Sequence, residues 1–213
     1  MKLPHKTLEK KLFASGYRFI YGVDEVGMGC LAGPVVVCAV AMTNHFYNKH
    51  HKKLRWLRES KLLSPRQREK FSEQLLKEKD LVYAISSISP KMINKINIYQ
   101  AARLGMKNAI KKLKPNFDLK TIVLVDGRTK IKGVDYEQRP IVKGDRRVFA
   151  IACASIIAKV YRDKMMTRYA KKYPSYGFEK HKGYGTKYHQ AQLTSLGPCE
   201  IHRRSFAPIA KLL

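Results

Sequence analysis

Two adjacent acids, Asp24 and Glu25, interrupt an apolar segment and are followed at once by closely spaced glycines, in Tyr21-Gly22-Val23-Asp24-Glu25-Val26-Gly27-Met28-Gly29-Cys30-Leu31-Ala32-Gly33-Pro34. Carboxylates seldom occupy apolar chain for stability, because burying the charge is costly unless a metal or an opposite charge meets it. Two carboxylates this close repel each other, and a divalent cation is the simplest partner that keeps both ionised. Gly27, Gly29 and Gly33 let backbone N–H groups approach a ligand without a Cβ in the way. The plainer reading is a solvated strand-to-loop junction with both acids facing water.

Two further acids hold comparable positions. Asp126 follows the apolar run Thr121-Ile122-Val123-Leu124-Val125, and Asp145 follows Pro140-Ile141-Val142-Lys143-Gly144. Each has a plain alternative, Asp126 as a turn residue before Gly127 and Asp145 as the N-cap of a helix that starts at Arg146. In open α/β sheets the carboxyl ends of the strands border the ligand crevice, so the acids converge if these strands are neighbours. Donors that are all oxygen suit Mg²⁺ or Mn²⁺ rather than zinc. The matching chemistry is two-metal phosphodiester hydrolysis, in which the ions activate water and stabilise an in-line transition state. Asp163, beside Arg162 in a predicted helix, reads as an ion-pair partner, and Asp135 and Glu137 as solvated loop residues; these are the reserve ligands.

The elements that must position the acids follow from patterning. Residues 18–23 are rich in β-branched and aromatic side chains and read as a strand ending at the acid pair. The near-continuous β-branched run 34–42 reads as a strand buried on both faces; 81–88, 121–125 and a short stretch near 140–142 supply others. Ser64-Pro65-Arg66-Gln67 offers an N-cap, a first-turn proline and a capping-box glutamine, predicting a helix to about Lys79. After Ser89-Pro90, the recurrence of Ile93, Ile96, Tyr99, Ala102, Met106, Ala109 and Leu113 predicts one helix from about 91 to 113. A long Ala- and Ile-rich helix is predicted from Arg146 to about Lys172, whereas 44–58, with His50-His51-Lys52-Lys53, reads as a basic loop. Interleaved strands and helices give an α/β class with a mixed central sheet flanked by helices. The expected organisation is a basic arm over 1–16 and one domain over 17–213 that includes a C-terminal helical segment.

Composition narrows the partners. Among 213 residues, Lys and Arg number 43 against 16 acids, a net charge of +27 that favours polyanions, nucleic acid first and anionic membrane second. The longest apolar run, 148–158, is too short to span a bilayer, and the start lacks the apolar core of a secretory signal. Cys30, Cys38, Cys153 and Cys199 form no C-x-x-C pair, which fits small hydrophobes in a reducing compartment; no membrane role and a cytoplasmic location are expected. The histidines are dispersed, which argues against a zinc site.

Four blocks in order carry a resemblance: residues 23–34; Leu124-Val125-Asp126-Gly127; Lys143-Gly144-Asp145 with residues 154–160 and Arg162-Asp163; and His181-Lys182-Gly183-Tyr184-Gly185-Thr186 with His202-Arg203-Arg204-Ser205-Phe206. From about Tyr21 to Ile209 the chain resembles ribonuclease HII, the type 2 ribonucleases H of bacteria. The resemblance implies a ribonuclease H-like fold and metal-dependent endonucleolytic cleavage of RNA in RNA–DNA hybrids. It also implies cleavage of DNA duplexes that contain ribonucleotides, on the 5′ side of a single embedded one. The metal-binding and catalytic acids of the family fall here on Asp24, Glu25, Asp126 and Asp145, with Mn²⁺ or Mg²⁺ as cofactor. Its Gly-Arg-Gly segment, which meets the ribonucleotide 2′-hydroxyl largely through backbone, corresponds to Gly27-Met28-Gly29, and the tyrosine that packs on the following deoxyribose corresponds to Tyr184. Without the family, Tyr184 reads as an ordinary packed aromatic.

Two departures stand out. Met28 replaces the family arginine, leaving the backbone donors but no guanidinium, and Glu59-Ser60-Lys61-Leu62-Leu63-Ser64 keeps Lys61 as a backbone contact while losing the second lysine. Of the basic residues, Lys143, Arg146, Lys182 and Arg203 flank the acids or the Gly-Tyr block and are the expected nucleic-acid contacts; Lys111-Lys112 and Lys171-Lys172 read as solvated helix ends. A basic, non-catalytic nucleic-acid-binding protein is the competing class. The sister ribonuclease HIII is disfavoured because about 16 residues before the first strand cannot form its extra domain. A monomer is expected, since the cleft must admit a duplex.

Overall fold

The β-branched runs pair into one sheet in a computed structural model of the chain, which describes residues 7–51, 54, 63–113 and 120–213. Helix α1 (Thr7–Ala14) leads into β1 (Phe19–Val26) and β2 (Val35–Met42), and α2 (Asn44–His50) and α3 (Pro65–Leu76) lead to β3 (Leu81–Ile88). Next come α4 (Pro90–Ile96), α5 (Ile98–Lys112), β4 (Thr121–Asp126), β5 (Glu137–Ile141), α6 (Gly144–Arg147) and the long α7 (Phe149–Lys172). The C-terminal segment holds a 3₁₀ turn (Pro174–Tyr176), α8 (Phe178–His181), α9 (Lys187–Leu196) and α10 (Ala207–Ala210).

Strand order is β3-β2-β1-β4-β5, antiparallel across β1/β2 and β2/β3 and parallel across β1/β4 and β4/β5. Parallel pairing sets Val23 beside Val125, so the next residues, Asp24 and Asp126, lie side by side toward the carboxyl ends of β1 and β4, and β1 runs on through the acid pair to Val26. Every residue of β2 is buried, as its unbroken apolar run requires. Alternation along β1 sends Ile20 into the core under α7 and Tyr21 and Val23 into the core under α5. Helix α7 lies hard against β1 at Gly22, where a Cβ would stand 2.2 Å from the Ala150 carbonyl carbon. Only glycine permits that approach.

Several elements differ from the sequence expectation. The segment after Met42 is helical because Thr43 caps Phe46 and because Phe46, Tyr47 and His50 share a buried face, a pattern hidden among its charges. The helix predicted for 91–113 is broken at Asn97, whose positive φ of 64° ends α4 while its side chain accepts the Gln100 N–H at 3.0 Å to start α5. The long helix begins at Phe149 rather than Arg146, since Val148 is extended (φ −127°) and isolates α6 as a single turn. Ser64 and Gln67 form the expected capping box, and α3 ends at Leu76. The strand expected near 140–142 spans Glu137–Ile141.

Val148 has no side chain able to cap α7, and Glu9 of α1 does so from a distance. Its Oε1 accepts the Phe149 and Ala150 N–H groups at 2.6 and 3.2 Å, while its Oε2 is buried without a hydrogen-bond partner among the described residues. Burial raises the Glu9 carboxyl to about 7, against the opposing pull of those N–H donors. A carboxyl raised on folding lends stability that is full below about 4.5 and is lost as pH rises through 7. Glu9→Gln keeps an acceptor without the titration. In urea melts, the native chain should lose about 3 kcal/mol relative to Glu9→Gln between pH 4.5 and 8, and a difference independent of pH would contradict the assignment.

Candidate active site

The strand ends deliver Asp24, Glu25 and Asp126 to one cleft of about 220 Å³, and α6 adds Asp145. Gly27, Met28, Gly29, Ser155, Lys159 and Tyr184 complete its walls. Asp24 lies deepest, and burial, then the charges of Glu25, Asp126 and Asp145, hold its carboxyl well above the usual range; a hydrogen bond from the Ser155 hydroxyl opposes them. Asp24 Oδ1 accepts the Glu25 N–H at 2.8 Å, and Asp126 Oδ1 accepts the Gly144 N–H at 2.7 Å, tying β4 to the start of α6. Asp126 is therefore no solvated turn residue. Asp145 caps neither helix, because Lys143 and Val148 hold the N-cap positions.

The donor set is carboxylate, and among the described residues no histidine or cysteine lines the cleft. Such a set fits a hard divalent cation, which would relieve the repulsion that raises Asp24. Among the described residues no three acidic, histidine or cysteine side chains are closed into a ready-made cage. A larger cavity of about 580 Å³ lies at the amino end of β1 beside Phe13, Tyr17 and His45, without these acids, so size alone does not mark the site.

The glycine loop is held from behind by two fully buried arginines that meet carbonyls rather than carboxylates. Arg162 donates to the carbonyls of Pro34, Ala32 and Lys182 at 3.0, 3.1 and 2.8 Å. Arg203 donates to those of Gly33 and Met28 at 3.0 and 2.8 Å. Burying a guanidinium costs several kcal/mol, and charge-assisted bonds of about 1.5–3 kcal/mol each offset it. Burial lowers Arg203 to about 10, which leaves it charged at neutral pH. Arg203, expected from sequence to touch nucleic acid, is instead an internal clamp, because its guanidinium has no exposure.

The same clamp separates the glycines. Gly27 has φ +95°, and a Cβ there would stand 2.3 Å from Arg162 Nε, so the protein itself demands glycine. Gly29 has no positive φ, and a Cβ there would meet nothing within 4 Å. Its α-carbon faces open cleft. Met28 is half-buried against the cluster of Val35, Ile88 and Ile93 while also lining the cleft.

Tyr184 is 37% exposed and its backbone bridges to Cys30, which places its ring beside the acids. Lys143 and Arg146 are exposed on either side of Asp145, outside the cleft wall, and Lys182 is turned onto the Thr167 hydroxyl at 2.8 Å. Lys61 lies outside the described residues. The reserve acids stay apart: Asp163 binds Lys159 at 2.8 Å, Asp135 is exposed, and Glu137 accepts from the Tyr17 hydroxyl. Sequence reasoning missed Ser155 and Lys159 as cleft residues and Arg162 as a clamp. Their spacing of i, i+4 and i+7, with the first of them inside the apolar, buried half of the helix, was the available signal.

Comparison with known proteins agrees with this geometry. The family model for ribonuclease HII matches residues 21–209. A ribonuclease HII of Caldicellulosiruptor bescii is 50% identical over 93% of this chain and 91% of its own length, and one of Acholeplasma laidlawii is 44% identical over 100% and 99%. The crystal structure of ribonuclease H2 from Pyrococcus horikoshii superposes with a TM-score of 0.74 at 26% identity, over 91% of this chain and 96% of that one. The chain belongs to the ribonuclease HII family, has the ribonuclease H-like fold, and is a metal-dependent endoribonuclease acting on RNA–DNA hybrids.

The clamp gives a direct test. Arg203→Met strands the Met28 and Gly33 carbonyls. It should lower unfolding free energy by about 2–4 kcal/mol in denaturant melts. A loss below about 0.5 kcal/mol would show that the carbonyls need no such donor.

Proposed function

We propose that the chain, beyond cleaving the RNA strand of hybrids, nicks duplex DNA on the 5′ side of a single embedded ribonucleotide. Asp24, Glu25, Asp126 and Asp145 are the proposed ligands of two Mg²⁺ or Mn²⁺ ions. The observation that carries the reading is the convergence of these acids at the foot of a glycine loop beside Tyr184. When bound, the ions would supply water activation and charge stabilisation for in-line phosphoryl displacement.

The chain's own groups do the selecting. Gly29, with open space at its α-carbon, lets backbone come close to a 2′-hydroxyl, and the Tyr184 ring offers a face to the sugar that follows. Ser155 holds the Asp24 carboxyl, and Lys159, paired with Asp163, sets a cation 5.6 Å above the Tyr184 ring. Lys143, Arg146, Lys182 and Lys61 are the proposed phosphate contacts, Lys182 after leaving Thr167. The protein works as a cytoplasmic monomer in this reading.

Two measurements test it. On a labelled DNA duplex with one ribonucleotide and Mg²⁺ or Mn²⁺, the native chain should make a single 5′ nick, and Asp126→Asn should lose it by more than about a hundredfold while still binding. Nicking by the variant at the native rate would exclude Asp126 as a ligand. Gly29→Ala should leave thermal stability unchanged and lower kcat/KM on that duplex by about tenfold or more. Equal activity would mean that no substrate backbone comes near Gly29.

A further inference from the structure

Behind the glycine loop, His181, His189 and His202 are buried together against Phe178. Their hydrogen bonds fix each tautomer. His202 Nδ1 accepts the Cys199 N–H at 2.9 Å, shorter than its 3.3 Å approach to the Cys199 carbonyl, so His202 carries its proton on Nε2. That nitrogen lies 3.0 Å from His189 Nε2, which must accept, leaving His189 with its proton on Nδ1. His189 Nδ1 in turn donates to the Tyr184 carbonyl at 2.9 Å. His181 accepts the Gly183 N–H on Nδ1 and donates from Nε2 to the Tyr176 carbonyl at 2.7 Å, stacked 4.3 Å from His189. Every role is filled with all three rings neutral.

The chain of donors runs from the C-terminal segment to the peptide of Tyr184. The same segment also grips the glycine loop, because Ala32 bridges to His202 and the Arg203 N–H donates to the Leu31 carbonyl at 2.9 Å. We infer that His202 and His189 are positioning residues that act through the Tyr184 carbonyl, holding the Tyr184 ring in register with the glycine loop and acid cleft. The inference rests on the reading that Tyr184 packs against substrate sugar.

The link needs neutral rings, since a proton on His189 Nε2 would set two N–H groups against each other. Burial pushes both His189 and His202 down to about 4, and neighbouring imidazoles add to it. Facing the pair are His181 from α8, the Tyr176 ring and the Cys199 backbone; Glu179 and Lys182 act on His181. Glu200 is directed at Lys172 and Tyr173, and the Arg203 guanidinium at Met28 and Gly33. Histidines lowered on folding lend stability that is present above about 6.5 and is lost as pH falls through 4. The register of Tyr184 is therefore expected to be intact at neutral pH and released by acid.

A double-mutant cycle on the single-ribonucleotide duplex with Mg²⁺ at pH 7.5 tests the coupling. His189→Leu should lower kcat/KM by about tenfold, Tyr184→Ala by at least as much, and the pair by no more than Tyr184→Ala alone. His189→Asn, whose amide nitrogen replaces Nδ1, should recover most of the loss. Additive losses would overturn the inference. The unmodified chain gives a second arm that needs no variant to fold: in ¹⁵N-labelled protein, His189 should appear as the Nδ1–H and His202 as the Nε2–H tautomer at pH 7. On acidification the Tyr184 and Gly185 amide resonances should move with the same midpoint as these rings. A charged or reversed tautomer at pH 7, or titration that leaves Tyr184 unmoved, would overturn it. Absence of nicking by the native chain would instead sink the reading of Tyr184 as a substrate contact, leaving the spectra to judge the relay separately.

Discussion

The seating of α7 on β1 is the contact from which the site is built. At Gly22 the helix backbone comes closer to the strand than any side chain allows, and this fixes the depth and rotation of a 24-residue helix. Apolar residues cover its first half, 149–158, which is buried all round, while the second half keeps only Val160, Arg162, Met166 and Ala170 buried. Its few inward polar positions are then forced to face something specific. Ser155 meets Asp24, Lys159 meets Asp163 beside Tyr184, and Arg162 meets the loop carbonyls. One helix thus sets an acid, a cation and a backbone loop in register, and Glu9 fixes where that helix starts.

Charge is arranged by separation. The chain carries +27, yet the two buried arginines beside the cleft are committed to carbonyls. Their distance from the acids leaves Asp24 to feel chiefly its own burial and its acidic neighbours. Stability alone would favour pairing those acids with the arginines. A cleft that instead keeps its carboxylates for a mobile ion retains the ion-dependent chemistry of the family.

Much of this was legible in the sequence where one local rule governs. The unbroken apolar run of β2, the Ser64–Gln67 capping box and the strand-end position of Asp24 are each decided by a few adjacent residues. The sequence also carried the family motifs, which marked the four acids that the structure brings to one cleft. Legibility failed where a distant partner decides. Asn97 divides a continuous apolar period by adopting a positive φ, and Val148 interrupts another because Glu9 supplies the cap from elsewhere. Arg203 looks like any surface arginine until the loop carbonyls that enclose it are in place. Of the histidines dispersed in sequence, His189 and His202 are hydrogen-bonded to each other, and His181 stacks on His189 while bonding the Tyr176 carbonyl.

The arginine clamp also bears on when the enzyme can exist during its own synthesis. Arg203 reaches back 170 positions to Gly33 and 175 to Met28, so the loop near the start of the chain is finished by a residue close to its end. Contacts this remote are among the last a chain can make, because their loop-closure entropy must be met first. A nascent chain can assemble its first strands on the ribosome, but the nuclease cleft is completed only after the C-terminal segment has emerged. Chains ending between Asp145 and Arg203 would carry all four cleft acids and still lack the two bonds by which Arg203 holds the glycine loop beside them.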